Sequence, residues 1–544
     1  MAPPRVAAGH WVMALPPHHE MPPPTHRFET PPPGHKTCIF CARRKAPAQH
    51  RIPVRNSLRS HSLITRSRAV AFALAVLCLL TTCRRDQKLA RQASVTLKER
   101  VESSQRPDFA RNDERGDQIW RDVRRFYRSH AYAPAWIDGR RPGAEASQLI
   151  SAVHAAREEG LDPEDYDLKA LDLLRTEKSR NPFKKDALLP DQVAEADLRL
   201  TYMFMKYATH LLWGRVDPSE VDPHWFGQPR QVDLVELLAR ALDSGEVAEA
   251  LRSVLPRHPQ YLALKRELAR YRDMAARDAS AADRVAQIEL NLERWRWLPE
   301  ELGDRHILVN VPTFQLQAIE QGKATLAMRV VAGKADETPT PIFSDEMTEV
   351  VFSPYWNVPT SILRKETIPA ILRDPGYLDR NELEVVQDGK GVPASSVDWS
   401  DPDLRVQVRQ RPGAKNSLGL VKFVFPNKFD VYLHDTPAHS LFAQMERDFS
   451  HGCVRVEKPV ELAQWVLRDQ PEWTPPKIEA AMHAGREQHV ALKRRIPVYI
   501  VYATAWVDEA GRLTFADDLY GHDTRQRALL GLDRPQSTRV AQGS

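Results

Sequence analysis

Two hydrophobic rhythms divide the chain. Through residues 111–275 apolar positions recur at the spacing of one helix face, beginning with Trp120, Val123, Phe126 and Tyr127. The stretch 144-AEASQLISAVHAAREEG-160 predicts an amphipathic helix closed by Gly160 at its C-cap. A turn and a short helix are expected over 161–174, and 197-DLRLTYMFMKYATHLLWG-214 predicts a strongly apolar helix at the centre of this part. Two or three charged helices are expected over 232–275. From about residue 306 the period drops to two. There 306-HILVNVPTFQLQAIE-320 and 325-TLAMRVVAGK-334 read as paired strands around a turn at 320–323. Further strands are expected at 347–359, 418-LGLVKFVF-425, 429-FDVYLH-434, 496-IPVYIVYATAWV-507 and 513–518, with two short ones in 383–408. Helices are expected at 360–376 and 458–468. The fold class is therefore multidomain α+β: a helical domain over 111–275, a mostly β domain over 285–525, and a polar tail over 526–544.

The first hundred residues follow neither rhythm. Residues 1–53, crowded with Pro, His and Arg, carry no apolar period and read as a non-native or disordered extension. Residues 54–83 pass from a basic stretch into 69-AVAFALAVLCLLTTC-83, the pattern of a secretory signal and too short to span a bilayer comfortably. The segment 80-LTTC-83 resembles a bacterial lipobox, which leaves open lipidation at Cys83, plain cleavage, or retention as an anchor. A signal beginning near residue 55 predicts a translation start downstream of Met1. The charged run 84–110 reads as a tether, helical in part. The net charge of +5 is small for 544 residues and asks for no nucleic acid.

Cysteine usage sharpens the picture. Of the five cysteines, Cys38, Cys41, Cys78 and Cys83 lie at or before the end of the signal, leaving Cys453 alone in an exported chain. It stands in 430-DVYLHDTPAHSLFAQMERDFSHGCVRVEKP-459. As a nucleophile it would need a neighbouring imidazole, for which His434 at the end of an apolar strand is placed. Gly452 allows a tight turn on which amides converge as an oxyanion hole, and Arg455 supplies a fixed charge suited to a carboxylate. As a metal site the same segment offers His434, Asp435, His439, His451 and Cys453, without the motifs of a zinc peptidase. A buried structural thiol is the third possibility.

Ser450-His451-Gly452-Cys453 with the upstream His434 resembles the signature of the L,D-transpeptidases with a YkuD-type catalytic domain. The segments 354-PYWNVPTSI-362, 411-RPGAKNSLGLVKFVFPN-427, 431-VYLHDTP-437, 136-WIDG-139, 159-EGLDPEDY-166 and 214-GRVDP-218 are similar to the large, YcbB-like branch, which places a helical scaffold domain before the catalytic one. The resemblance covers about 111–525. It implies that Cys453 is the nucleophile, that His434 is its proton partner, and that Ser450, His451 and Gly452 shape the turn and oxyanion hole. Arg455 is implied as a substrate anchor or a structural charge. Tyr432, Trp356 and Asn357 fall in shared motifs as pocket-lining candidates, with core packing as their alternative. The implied reaction is attack on a peptidoglycan stem tetrapeptide, release of the terminal D-Ala, and 3→3 cross-linking, with water or another amine as alternative acceptors and inhibition by carbapenems. A non-catalytic clamp on peptidoglycan is the competing use of such a domain. No metal and no cofactor is expected, and the location implied is the periplasm of a Gram-negative bacterium, membrane-anchored or as a lipoprotein. The branch's small peptidoglycan-binding module has no counterpart here, and residues 363–415 are expected to form a lid-like insertion.

Overall fold

The computed structural model describes residues 85–532, apart from 112, 139–140, 169–187, 226, 228–229 and 402–403. The signal-like segment and four of the five cysteines lie outside this range, as does part of the expected 161–174 element. Among the described residues no helix is long and apolar enough to cross a membrane.

The helical part begins earlier than its sequence suggests. The expected tether is, over 85–102, a helix, α1. Leu89, Ala93, Leu97 and Val101 recur every fourth residue and are buried in the same core as the helices that follow. Thr96 and Arg100 bond Asp191 and Glu195 across it. The charged residues between the apolar ones cover the solvent face of an amphipathic helix, which is why the segment reads as a linker by composition. Next come α2 (Glu114–Ser129), a small ribbon of β1 (Ile137–Asp138) with β2 (Arg141–Pro142), and α3 (Ala144–His154). The axis is α4 (Pro190–Trp213), sheathed on nearly all sides. Its Asp197 is fully buried, and its charge is met by Tyr127 Oη (2.7 Å) and the amides of Ala135 and Trp136. A buried carboxylate persists only with such donors.

After the short α5 (Pro218–Val221) come α6 (Leu234–Ser244), α7 (Val247–Ser253), α8 (Pro259–Ala275) and α9 (Ala282–Arg296). Helix α9 joins the two parts of the chain. On one side Glu293 accepts from the Val216 amide; on the other Asn291 exchanges two hydrogen bonds with Thr504, and Arg294 pairs with Asp523 at 2.7 Å in a buried setting. Asp523 belongs to a helix, His522–Leu530, that overruns the expected polar tail; its Gln526 is fully buried and bonds Arg294.

The β part is a sheet of nine strands. It is built from β3 (Arg305–Asn310), β4 (Gln315–Glu320), β5 (Lys323–Gly333) and β6 (Phe343–Phe352). The run 306–320, expected as one strand, is broken by a turn at Val311–Phe314. Pro312 there has no N–H for a ladder, and Phe314 takes a left-handed φ of 50°. The chain then leaves the sheet for β7 (Trp356–Asn357), β8 (Leu383–Gln387), β9 (Lys390–Val392) and β10 (Gln407–Gln410). It returns as β11 (Val421–Val424), β12 (Leu433–His434), β13 (Asp448–Ser450), β14 (Val454–Val456) and β15 (Gln488–Val501). The order is β13-β5-β14-β12-β11-β6-β15-β3-β4, and β4 also pairs with β5, so the ladder closes on itself. A hairpin of β16 (Ala505–Val507) and β17 (Leu513–Phe515) follows.

Strands β7 to β10 form a separate sheet, in the order β7-β10-β8-β9, within the region 354–416. This insertion has its own apolar cluster, including Val358, Leu363, Ile371, Leu383 and Val408. Where it leaves and rejoins the main sheet, the Ser353 amide donates to Leu420 O, and the fully buried Asn416 donates to Pro354 O and Arg411 O and accepts from the Leu418 amide. Its first helical segment contains a π turn, Leu363–Thr367, just before Pro369. Proline has no N–H to continue α-type bonding, and the register slips to a wider turn.

Candidate active site

His434 ends β12, and Cys453 immediately precedes β14, the strand that pairs with β12 in parallel. The register of β12 with β14 sets Leu433 beside Val454 and His434 beside Arg455, and the Val454 amide donates to Tyr432 O. Side chains alternate across a strand. Leu433 and Val454 therefore enter the core, while His434 and Arg455 share the opposite face. On the other side of β12, Lys422 of β11 stands beside His434, and its Nζ lies 5.3 Å from the Tyr432 ring centroid.

The Cys453 thiol is half-buried. Its Sγ lies 3.7 Å from Asp430 O, and both the amide and the hydroxyl of Tyr432 reach it. Burial pushes the thiol's pKa up, against the pull of the Tyr432 donors. Burial, followed by the Arg455 cation, pushes His434 down to about 3. At neutral pH the two groups are thus a thiol and an uncharged imidazole. His434 Nδ1 lies 2.6 Å from Asp435 O; a carbonyl only accepts, so Nδ1 carries the proton and Nε2 the lone pair. Asp435 Oδ2 in turn accepts from the Leu420 amide at 2.8 Å. The approach is tight enough that a Cβ on Gly419 (φ 61°) would sit 2.3 Å from that carboxylate oxygen.

The turn before Cys453 is held from within. Ser450, buried, donates to Cys453 O and accepts from the Gly452 amide at 3.1 Å. Thr340 Oγ1 donates to Gly452 O and accepts from the Gly333 amide. Gly452 adopts φ 109°, a region that residues with a Cβ rarely enter. Its amide is already committed to Ser450, so the donors beside the sulfur are the amide and hydroxyl of Tyr432, with the Cys453 amide next to them. His451 does not face this turn. Its Nε2 lies 2.7 Å from Glu366 Oε1, on the π turn of the insertion.

Arg455 is half-buried, and its Nε is buried without a hydrogen-bond partner. Trp356 and Asn357 form β7 of the insertion, where Asn357 pairs with Arg409 and the Trp356 ring packs on the insertion's own cluster. Tyr432 lines the site through its contacts with the sulfur. Lys422 and Glu366 were not singled out from sequence. Lys422 was legible as the polar member of the alternating 421-VKFV-424; nothing local marks Glu366. Among the described residues no group of three or more His, Cys, Asp or Glu converges as a metal would require.

Comparison with known proteins agrees with this architecture. Residues 121–268 match the model of a scaffold domain, and residues 304–500 match that of the L,D-transpeptidase catalytic domain. A curated relative, a putative L,D-transpeptidase of Haemophilus influenzae, is 27% identical over 401 residues, covering 73% of this chain and 77% of its own. Solved structures overlap more narrowly. An L,D-transpeptidase from Mycobacterium smegmatis is 14% identical with a TM-score of 0.19, covering 36% of this chain and 58% of that one. L,D-transpeptidase 1 of Mycobacterium tuberculosis is 12% identical with a TM-score of 0.15, covering 36% and 61%.

Proposed function

The chain belongs to the L,D-transpeptidase family, its catalytic domain preceded by a scaffold domain, and we propose that it cross-links peptidoglycan stems through a thioester on Cys453. The observation that carries this reading is the β12–β14 register, which sets His434 beside Arg455 and brings the preceding residues, Tyr432 and Cys453, into contact. In the first step Sγ attacks the carbonyl of the diamino acid in a donor tetrapeptide, and the lone pair on His434 Nε2 takes the thiol proton. The Cys453 amide and the Tyr432 hydroxyl meet the developing oxyanion. His434 returns the proton to the departing D-Ala nitrogen, which leaves a thioester. In the second step the side-chain amine of another stem attacks, His434 takes its proton, and the thiol is regenerated as the 3→3 amide forms. Arg455 supplies a charge for the substrate's carboxylates.

Action on peptidoglycan places the enzyme in the cell envelope, consistent with the signal-like pattern of 54–83. The test is mass spectrometry of the wild type and Cys453→Ala, each incubated with a carbapenem and, separately, with disaccharide-tetrapeptide. A covalent adduct on the wild type alone, with D-Ala release and 3→3 dimers, is expected. D-Ala release without dimers would make the protein an L,D-carboxypeptidase. An absence of both adduct and turnover would leave a non-catalytic clamp.

A further inference from the structure

A large cavity lies away from Cys453. It is a groove of about 670 Å³ between the start of α8, the β3–β4 hairpin and the β16–β17 turn, and it includes no residue of β11, β12 or β14. Register explains one wall: β3 pairs with β4 so that His306 meets Ile319 and Leu308 meets Gln317, and all four share a face. The opposite wall is fixed by Gln260, whose carboxamide exchanges two hydrogen bonds with the Val507 backbone. Trp506, half-buried, lines the groove, backed by Trp295 at 6.1 Å, on which His258 stacks at 4.3 Å.

The lining is rich in acceptors. Glu300 is paired with Arg257 at 3.5 Å and Asp508 with Arg512 at 2.8 Å, while Glu301, Asp304 and Glu509 outnumber Arg266. His306 packs into the same wall, 4% exposed, its Nδ1 donating to Gly303 O at 2.8 Å. The groove's carboxylates and the Gln317 carboxamide are acceptors for a ligand carrying hydroxyl or amide N–H groups. An indole face beside carboxylates and a carboxamide suits a pyranose, whose C–H face lies on the ring while its hydroxyls reach the acceptors. The excess of carboxylates disfavours an anionic stem peptide.

We propose that this groove binds the neutral, N-acetylated glycan strand of the substrate polymer, about 670 Å³ being ample for a short oligosaccharide. The identity of the polymer rests on the transpeptidase reading above; the preference for a donor-rich, uncharged sugar rests on the groove. Holding the strand here keeps the enzyme on the polymer while stems are drawn to Cys453.

The experiment uses the full chain carrying Cys453→Ala, titrated with N-acetylglucosamine tetramer and followed by tryptophan fluorescence and calorimetry. Saturable binding is expected, weakened at least about tenfold by Trp506→Ala and several-fold by Gln317→Ala, the gentler change. In the Cys453 enzyme the same two substitutions should leave D-Ala release from a sugar-free stem tetrapeptide at the parental rate and slow reaction on insoluble peptidoglycan. Binding that is absent, or equal in parent and both variants, overturns the proposal. So does binding of lysine oligomers in place of the sugar, which would make the groove a cation site. If the tetramer binds but the Cys453 enzyme releases no D-Ala, the groove stands and the transpeptidase reading falls; D-Ala release without sugar binding is the reverse.

Discussion

Glu366 Oε1 lies 2.7 Å from His451 Nε2, a polar contact between the insertion and the turn that carries Cys453. Both side chains are substantially exposed, and such pairs add little to global stability. Glu366→Ala should therefore leave the thermal midpoint nearly unchanged. Hydrogen exchange of 360–373 should accelerate, with β11, β12 and β14 unaffected. Unchanged exchange in 360–373 would mean that the pair does not hold the insertion in place.

The pH dependence of acylation follows from the uncharged resting pair. With His434 pushed down to about 3, the imidazole stays in its accepting form well below neutrality. Acylation by a carbapenem, followed by stopped flow, should hold nearly level from pH 7 to pH 5. An ordinary imidazole, titrating near about 6.5, would lose most of its neutral form over that range. A fall with a midpoint near 6.5 would rule out this account of His434.

The same depression lowers stability in acid. Below about pH 6.5 the unfolded chain takes up a proton on His434 that the folded chain refuses until about pH 3. The unfolded state binds more protons in that window, so stability is full above it and declines as pH falls through it. His258 and His522, each pushed down to about 4 by burial, act in the same direction. Each such histidine costs about 2 kcal/mol at pH 5. Urea midpoints should drop from pH 7.5 to pH 5, and by less in His522→Asn.

Helix α1 tests whether the segment before residue 111 is structural. Leu97 is fully buried in the helical core. Leu97→Ala should cost about 2–5 kcal/mol, as buried leucine truncations do. Exposed Val95, two residues earlier, should tolerate alanine with little change in a thermal melt.

Asn416 should behave as a clasp. Removing its carboxamide in Asn416→Ala leaves Pro354 O, Arg411 O and the Leu418 amide without this partner. Each buried group left unsatisfied costs about 1–3 kcal/mol. Limited proteolysis should then cut first within 354–416, before the nine-stranded sheet is attacked.

Much of this was legible in the chain itself. The change of period near residue 306, the apolar 197–214 helix and the Ser450–Cys453 turn are local signals, and local signals survive in sequence. Helix α1 is local as well, yet its four apolar residues are diluted by charge, so composition hid what spacing showed. The break at Pro312 was equally visible, but strand-like residues on both sides masked it. Pairing across distance was not readable. Nothing in 363–367 says that Glu366 will reach His451, and the commitment of the Gly452 amide to Ser450 depends on a rotamer. The groove joins His306, Gln317 and Trp506 from three separate stretches, brought together only by strand register and by Gln260.

The narrow neck at Ser353–Leu420 has a consequence for inheritance. Chain enters and leaves the insertion at neighbouring points, so residues can be gained or lost beyond Asn416 and Pro354 without shifting the register of any main-sheet strand. Lineages carrying this domain would then be free to change the size and surface of the insertion beside the Cys453 turn while the main-sheet strands stay the same.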